Sequence, residues 1–448
     1  MNTENKHILF GVLILSSLLL NSQTTIAQCH IDDWTALKAL YESTDGDNWT
    51  NNTDWQQILG NAPASNCDLS LLYGVGLDGQ GRVDSLYMFV NGLIGSIPSE
   101  LGNLSNLSML SLPANQLSGS IPSELGNLSN LEFLGLYNNQ LSGSIPPELG
   151  NLGNLEFLSL YNNQLSGNMP SELGNLSNLI GLSFSYNQLT GSIPNELGNL
   201  SNLEILHLFN NQLSGSIPSE LGNLSNLPEL WLSDNKLSGS IPNELGNLSN
   251  LTGLYLYNNQ LSGSIPPELG NLSNLIGLDL HNNQLSNSIP PELGSLSNLS
   301  VLYLYNNQLS GSIPPELSNL TNLTLLEIYD NDLSGCYSDS LTILCTQLDH
   351  IFFDGDADIS VGNNFDASWE DFCNDGAGTC DNCLVDLIIY YTTPFQNVHQ
   401  SSGSISTLGV VEIYNGQQVE YKAPSVRLNN SFSAKAGSSF KVRYGNCN

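Results

Sequence analysis

The chain has 448 residues, with 42 acidic against 9 basic side chains and a net charge of −33, yet only 11% of its residues are charged. Such a balance repels nucleic acid and acidic membrane surfaces. Those partner classes are excluded, and most of the surface falls to Asn, Ser, Gln and Tyr.

Lys6 and His7 precede an apolar run from Ile8 to Leu20, and Thr25-Ile26-Ala27 ends on a small residue before Gln28. This is the layout of a secretory signal peptide over residues 1–27, because 13 apolar residues are too few to cross a bilayer. No later stretch is long enough to span one. The expected location is therefore extracellular, secreted or at the cell surface.

Residues 28–82 read as an N-terminal cap. Trp34, Leu37, Leu40 and Tyr41 recur at helical spacing behind the capping candidates Asp32 and Asp33, and Trp49 and Trp55 are placed to seal an apolar edge. Gly74, Gly76 and Gly79 spell the GxGxxG of dinucleotide sites, but a strand rather than a helix follows. A turn between two strands is the expectation, and no cofactor is implied.

From Val83 to residue 335 a 24-residue pattern, LxxLxLxxNxLSGSIPxELGNLSN in its fullest form, recurs eleven times. Its first apolar position falls at Val83, Leu107, Leu131, Leu155, Leu179, Leu203, Leu227, Leu251, Leu275, Leu299 and Leu323. That period and spacing are the signature of a leucine-rich-repeat solenoid, with a parallel sheet on the concave face and an irregular or 3-10 convex side. Leu134 and Leu136 alternate with polar neighbours, as a strand with one buried face requires. The column Asn91, Asn115, Asn139 and onward to Asn331 is expected to satisfy backbone groups leaving each strand. Ser142-Gly143 reads as a tight turn, and Ile145-Pro146 as an extended segment. Leu149 and Leu152 return to the core. No coil buries its leucines alone, so both ends need caps.

Residues 336–383 form a cysteine-bearing C-terminal cap. The eight cysteines, Cys29, Cys67, Cys336, Cys345, Cys373, Cys380, Cys383 and Cys447, all lie outside the repeats, an even number suited to disulfides in an oxidising compartment. Cys29 with Cys67 and Cys336 with Cys345 are the expected pairs; the other four are open. Cys380-x-x-Cys383 has no second pair or nearby histidine for zinc, so a structural disulfide is expected there. Asp354, Asp356 and Asp358 imitate the start of a calcium loop but lack its glycine and its final glutamate, which leaves an ordinary acidic loop as the default. Residues 384–448 suggest a small β module, with strands at Val410 to Tyr414, Gln418 to Ala423 and Phe440 to Tyr444. The module is either an attachment device or a plain cap.

The LxGxIPxxLG half of the repeat resembles plant-type leucine-rich repeats, found in ectodomains of plant receptor kinases, in polygalacturonase-inhibiting proteins and in secreted bacterial proteins. The resemblance implies a curved solenoid whose concave sheet binds ligands. It implies no kinase, whose motifs are missing. The segment ALKALYESTDGDNWTNNTDW resembles N-terminal caps of such proteins. SVRLNNSFSAKAGSSFKV resembles a C-terminal motif of exported bacterial proteins, which implies a bacterial origin.

Function is sought where the repeats vary. Two columns point to the concave face: Tyr87, Ser111, Gly135, Ser159, Ser183, His207, Trp231, Tyr255, Asp279, Tyr303, Glu327, and Phe89, Pro113, Tyr137, Tyr161, Ser185, Phe209, Ser233, Tyr257, His281, Tyr305, Tyr329. Candidate ligand-binding residues are Tyr161, His207, Phe209, Trp231, Tyr255, Tyr257, Asp279, His281, Tyr303, Tyr305, Glu327 and Tyr329. Rigid aromatics give large contact area at small entropy cost, so a protein, a peptide or a neutral glycan is the expected ligand. The bland alternative is that tyrosine was copied with the repeat and merely shields strand ends. Ice or crystal-surface binding is the competing function, although threonines are few and the solenoid is curved. An enzyme is the weakest reading, because His207 and His281 stand three coils apart without a nucleophile or a metal cluster.

Overall fold

A computed structural model describes residues 30–59, 68–347, 362–365 and 373, together with the backbone of three strands farther on. The core is one column of leucines. Leu131, Leu134, Leu136, Leu141, Leu149 and Leu152 of one coil are all 0% exposed, and the equivalent positions repeat from Val83 to Leu333. Their alternation with polar residues fixes the strands. A twelve-stranded sheet runs from Val75–Leu77 through Val83–Tyr87, Met109–Ser111 and so on to Leu325–Glu327. The first pair is antiparallel and the rest are parallel in register, as in Trp231 beside Tyr255.

The opposite side holds a 3-10 turn in every coil, such as Pro147–Asn151, whose preceding Pro146 sits at φ −65° and sets its entry. Between the two sides lies a second set of parallel strands that the pattern did not suggest. Gln140–Gly143 pairs with Gln164–Asn168, so Ser142-Gly143 continues a strand rather than making a tight turn. The glycine is still required, because Gly143 at φ +78° bends the strand end toward buried Ile145.

The asparagine column does what was expected. Asn235 Nδ2 donates to the carbonyls of Leu208 at 3.0 Å and Leu232 at 3.2 Å, and its Oδ1 accepts from Leu213 N at 3.0 Å. Before the first coil the main chain of Asn51 meets the ladder, its N–H donating to Asn91 Oδ1 and its carbonyl accepting from Asn91 Nδ2. Past the last repeat the side chain of Asn363 adds a further rung, accepting from Leu333 N and donating to Ile328 O. The ladder therefore outlasts the 24-residue period.

At the N-terminal end, helix α1 (Ile31–Ser43) buries Trp34, Leu37 and Leu40 against the first coil. Asp33 does not cap it. The residue before the helix is His30, whose side chain makes no capping bond, and Asp33 is 0% exposed, gripping Arg82 through two bonds of 2.8 and 2.9 Å and accepting from Val83 N. Trp49 and Trp55 are buried and pack edge to face at 4.8 Å. Gly74 and Gly76 lie at and within the first strand of an antiparallel pair whose turn is held by Asp78 accepting from Gln80 N and Arg82 N.

At the other end Cys345 is bonded to Cys373, not to Cys336. The intervening residues form turn Asp339–Leu341 and helix Thr342–Gln347, which bury Leu341 and Leu344 and leave the neighbouring Cys345 to a partner farther along the chain. Cys336 is also disulfide-bonded. Farther on, Gln418–Tyr421, Asp386–Tyr390 and Phe440–Arg443 form a three-stranded antiparallel sheet in that spatial order. The signal-like segment 1–27, Cys29, Cys67, Cys380, Cys383, Cys447, the Asp354–Asp358 loop and the expected strand at 410–414 lie outside the described residues.

Candidate functional site

Strand alternation leaves the side chains between the buried leucines on the outer face of the twelve-stranded sheet. Leu230 and Leu232 are 0% exposed, whereas Trp231 between them is half-buried and faces out. Register then stacks equivalent positions. Trp231, Tyr255, Asp279, Tyr303 and Glu327 stand on five consecutive strands as direct neighbours.

The rings lie against one another rather than standing apart. Trp231 stacks on Tyr255 at 3.9 Å, and Trp231 Nε1 donates to Glu229 at 3.0 Å. In the second column Tyr257, His281, Tyr305 and Tyr329 form a continuous pile at 4.7, 4.3 and 4.6 Å, with planes within 13° at every step. Phe209 meets Trp231 at 5.7 Å, while His207 meets both rings edge-on. Tyr161 stacks instead on Tyr137 at 4.7 Å, and Ser183 and Ser185 separate that pair from His207 and Phe209.

The electrostatics are one-sided. Asp279 is 8% exposed and binds both Nδ1 and the backbone N–H of His281. Burial raises Glu327 above the usual carboxylate range, and nearby His281 only partly opposes this. Burial likewise pushes the Tyr161 and Tyr255 phenols up to about 12, with Tyr137 adding to the first and Glu229 and Asp279 to the second. Tyr303 and Tyr305 are raised for the same leading reason. The face therefore presents phenol donors and carboxylates. The single basic residue of the repeats, Lys236, lies on the second sheet beside Gln212.

The Leucine Rich Repeat family profile matches residues 106–128, 130–152, 154–176, 178–200, 202–224, 226–248, 250–272, 274–296 and 298–320. This protein is a leucine-rich-repeat solenoid. Among solved structures the solenoid is similar to the plant peptide hormone receptor RGFR1 in complex with RGF2, with 37% identity over 62% of this chain and 51% of that one and a TM-score of 0.55. It is similar to PEPR1 with AtPEP1, at 36% identity over 72% and 48% and a TM-score of 0.62. It is also similar to the Arabidopsis receptor kinase HAESA ectodomain in complex with an N-terminally extended IDA peptide hormone ligand, at 34% identity over 72% and 53% and a TM-score of 0.58. The solenoid chain spans about half the length of these receptor chains. No curated protein matches it.

Of the twelve candidates, eleven form one continuous patch from His207 to Tyr329, and Tyr161 stands outside it. Sequence reasoning missed a third column of the same sheet, two residues earlier on each strand, which includes Phe133, Phe157, Glu229, Gly253 and Gly277. Phe133 and Phe157 touch at 6.1 Å, and a Cβ at Gly253 would lie 2.6 Å from the Tyr255 ring. These glycines are the beds on which Tyr255 lies. The period-2 rule applied once more along the strand identifies the column.

Proposed function

We propose that the solenoid is a non-enzymatic, extracellular binding protein that holds an extended peptide, free or as part of a protein, along its inner sheet from His207 to Tyr329. The observation that carries this reading is the pile of Tyr257, His281, Tyr305 and Tyr329 beside the row from Trp231 to Glu327. Rings that stack on each other offer rims and hydroxyls to a ligand. Rims and raised-pKa phenols suit the alternating donors and acceptors of a peptide backbone, whereas a neutral sugar needs an open ring face. The peptide therefore takes precedence over the neutral glycan. The similar receptor ectodomains in complex with peptide hormones support the same class of ligand.

An enzymatic reading finds little here. Asp279 and His281 make an acid–base pair, but their neighbours in both columns are tyrosines held protonated, which are poor nucleophiles. Ice binding would use the repeated Asn, Ser and Gln side chains, and it gives no role to the aromatic rows of this face.

The test is a random peptide-display selection against the full-length protein, followed by binding measurements on the enriched peptides. Trp231→Ala and Tyr305→Ala are each expected to weaken binding at least tenfold. Unchanged affinity in both variants would refute the assignment.

A further inference from the structure

Resting on that reading, we infer that the peptide must carry a cationic side chain, arginine or lysine, which seats over Tyr303 between Asp279 and Glu327. The strand register places Asp279, Tyr303 and Glu327 on three successive coils. Coils in a parallel sheet are roughly 4.8 Å apart, so the strand positions of the two carboxylates stand about 10 Å apart with that of Tyr303 midway. A cation at the ring lies within reach of both.

Three further observations favour a cationic occupant. Tyr303 is the one tyrosine between Tyr255 and Tyr329 on this face whose ring is not stacked; it meets Tyr305 edge-on at 6.2 Å with planes 68° apart. Its face is thus left for a cation–π contact, which a guanidinium or ammonium makes with an aromatic ring. Neither carboxylate is paired with a lysine or arginine among the described residues; Asp279 is held instead by the His281 imidazole. Glu327 is half-buried and raised by that burial, which His281 opposes only in part, so a bound cation would add compensation for its ionised form. An anionic peptide side chain would meet only like charge here.

The experiment begins with the same random peptide-display library on the full-length protein. Enriched peptides are expected to share an Arg or Lys at a fixed position. Replacing that Arg by citrulline, which keeps shape and loses charge, should weaken binding about tenfold. Glu327→Gln should produce a similar loss with the Arg peptide and little further loss with the citrulline peptide, because the two changes remove one interaction. Trp231→Ala should weaken both peptides equally. Near-ultraviolet circular dichroism checks that Glu327→Gln keeps the folded aromatic stack.

Peptides that bind and are lost on Trp231→Ala, but that carry no basic residue or ignore Glu327→Gln, would overturn the cationic seat and leave the peptide-binding reading standing. Binding that needs added calcium and vanishes with a chelator would overturn it as well, since the carboxylates would then be holding a metal ion. Peptides indifferent to both Trp231→Ala and Tyr305→Ala would overturn the proposed function itself.

Discussion

Asn235→Ala removes a rung that joins two successive coils. The asparagine is 8% exposed, its Nδ2 reaches the carbonyls of Leu208, Leu232 and Ser233, and its Oδ1 holds the N–H of Leu213. Alanine strands the Leu213 N–H, on a residue that is 0% exposed, and removes one of the two donors of the Leu208 carbonyl, which keeps Asn211 Nδ2 at 3.1 Å. A buried group left without a partner costs about 1–3 kcal/mol, so with the weakened Leu208 carbonyl added the substitution should cost about 2–3 kcal/mol. Asn250→Ala is the comparison, because its single bond to the Ser225 carbonyl at 2.9 Å is exposed and should be worth about 0.5–1 kcal/mol. Urea unfolding of the full-length protein, followed by far-ultraviolet circular dichroism, measures both. A loss below about 1 kcal/mol for Asn235→Ala, or equal losses for the two variants, would refute the view that this column joins the coils.

Other outcomes follow from the same geometry. Asp33→Asn leaves Arg82 without its buried partner and should cost about 3 kcal/mol, with hydrogen exchange speeding up first in residues 31–43. Gly253→Ala pushes a methyl group into the Tyr255 ring and should break its stack on Trp231, a loss of about 1 kcal/mol read as a change in tryptophan fluorescence. Tyr161 and Tyr255 are pushed up to about 12 by burial, so their stabilising contribution is complete below about pH 10, where an unfolded tyrosine begins to ionise. It should disappear as pH rises through 12, with late phenolate absorbance as the readout. The 3-10 turns carry one glutamate per coil, such as Glu124, Glu148 and Glu172, in a row of like charge. Added salt should therefore raise the urea midpoint rather than lower it.

The repeat made the leucine column, the inner sheet and the asparagine rungs legible, because each depends on spacing alone. The second strand set was not, since Gln-Leu-Ser-Gly reads locally as a turn and becomes a strand only when the next coil supplies its hydrogen bonds. Asn363 escaped for a related reason: it stands outside the 24-residue register and reaches its place through an insertion. Sequence placed Trp231 and Tyr255 on one face but not in contact, because ring orientation depends on the glycines at 253 and 277. Asp33 looked like a helix cap from its position, and Arg82, distant in sequence, claimed it.

The asparagine rungs have a consequence for the length of the protein. Every internal joint uses the same donors and acceptors, and the main chain of Asn51 and the side chain of Asn363 complete that pattern at the outermost coils. A whole coil can then be inserted or deleted without redesigning either end, provided the change comes in multiples of 24 residues. The reach of the inner wall and the choice of what rests on it are separately adjustable, the first by counting coils and the second by rewriting a few positions on two or three strands.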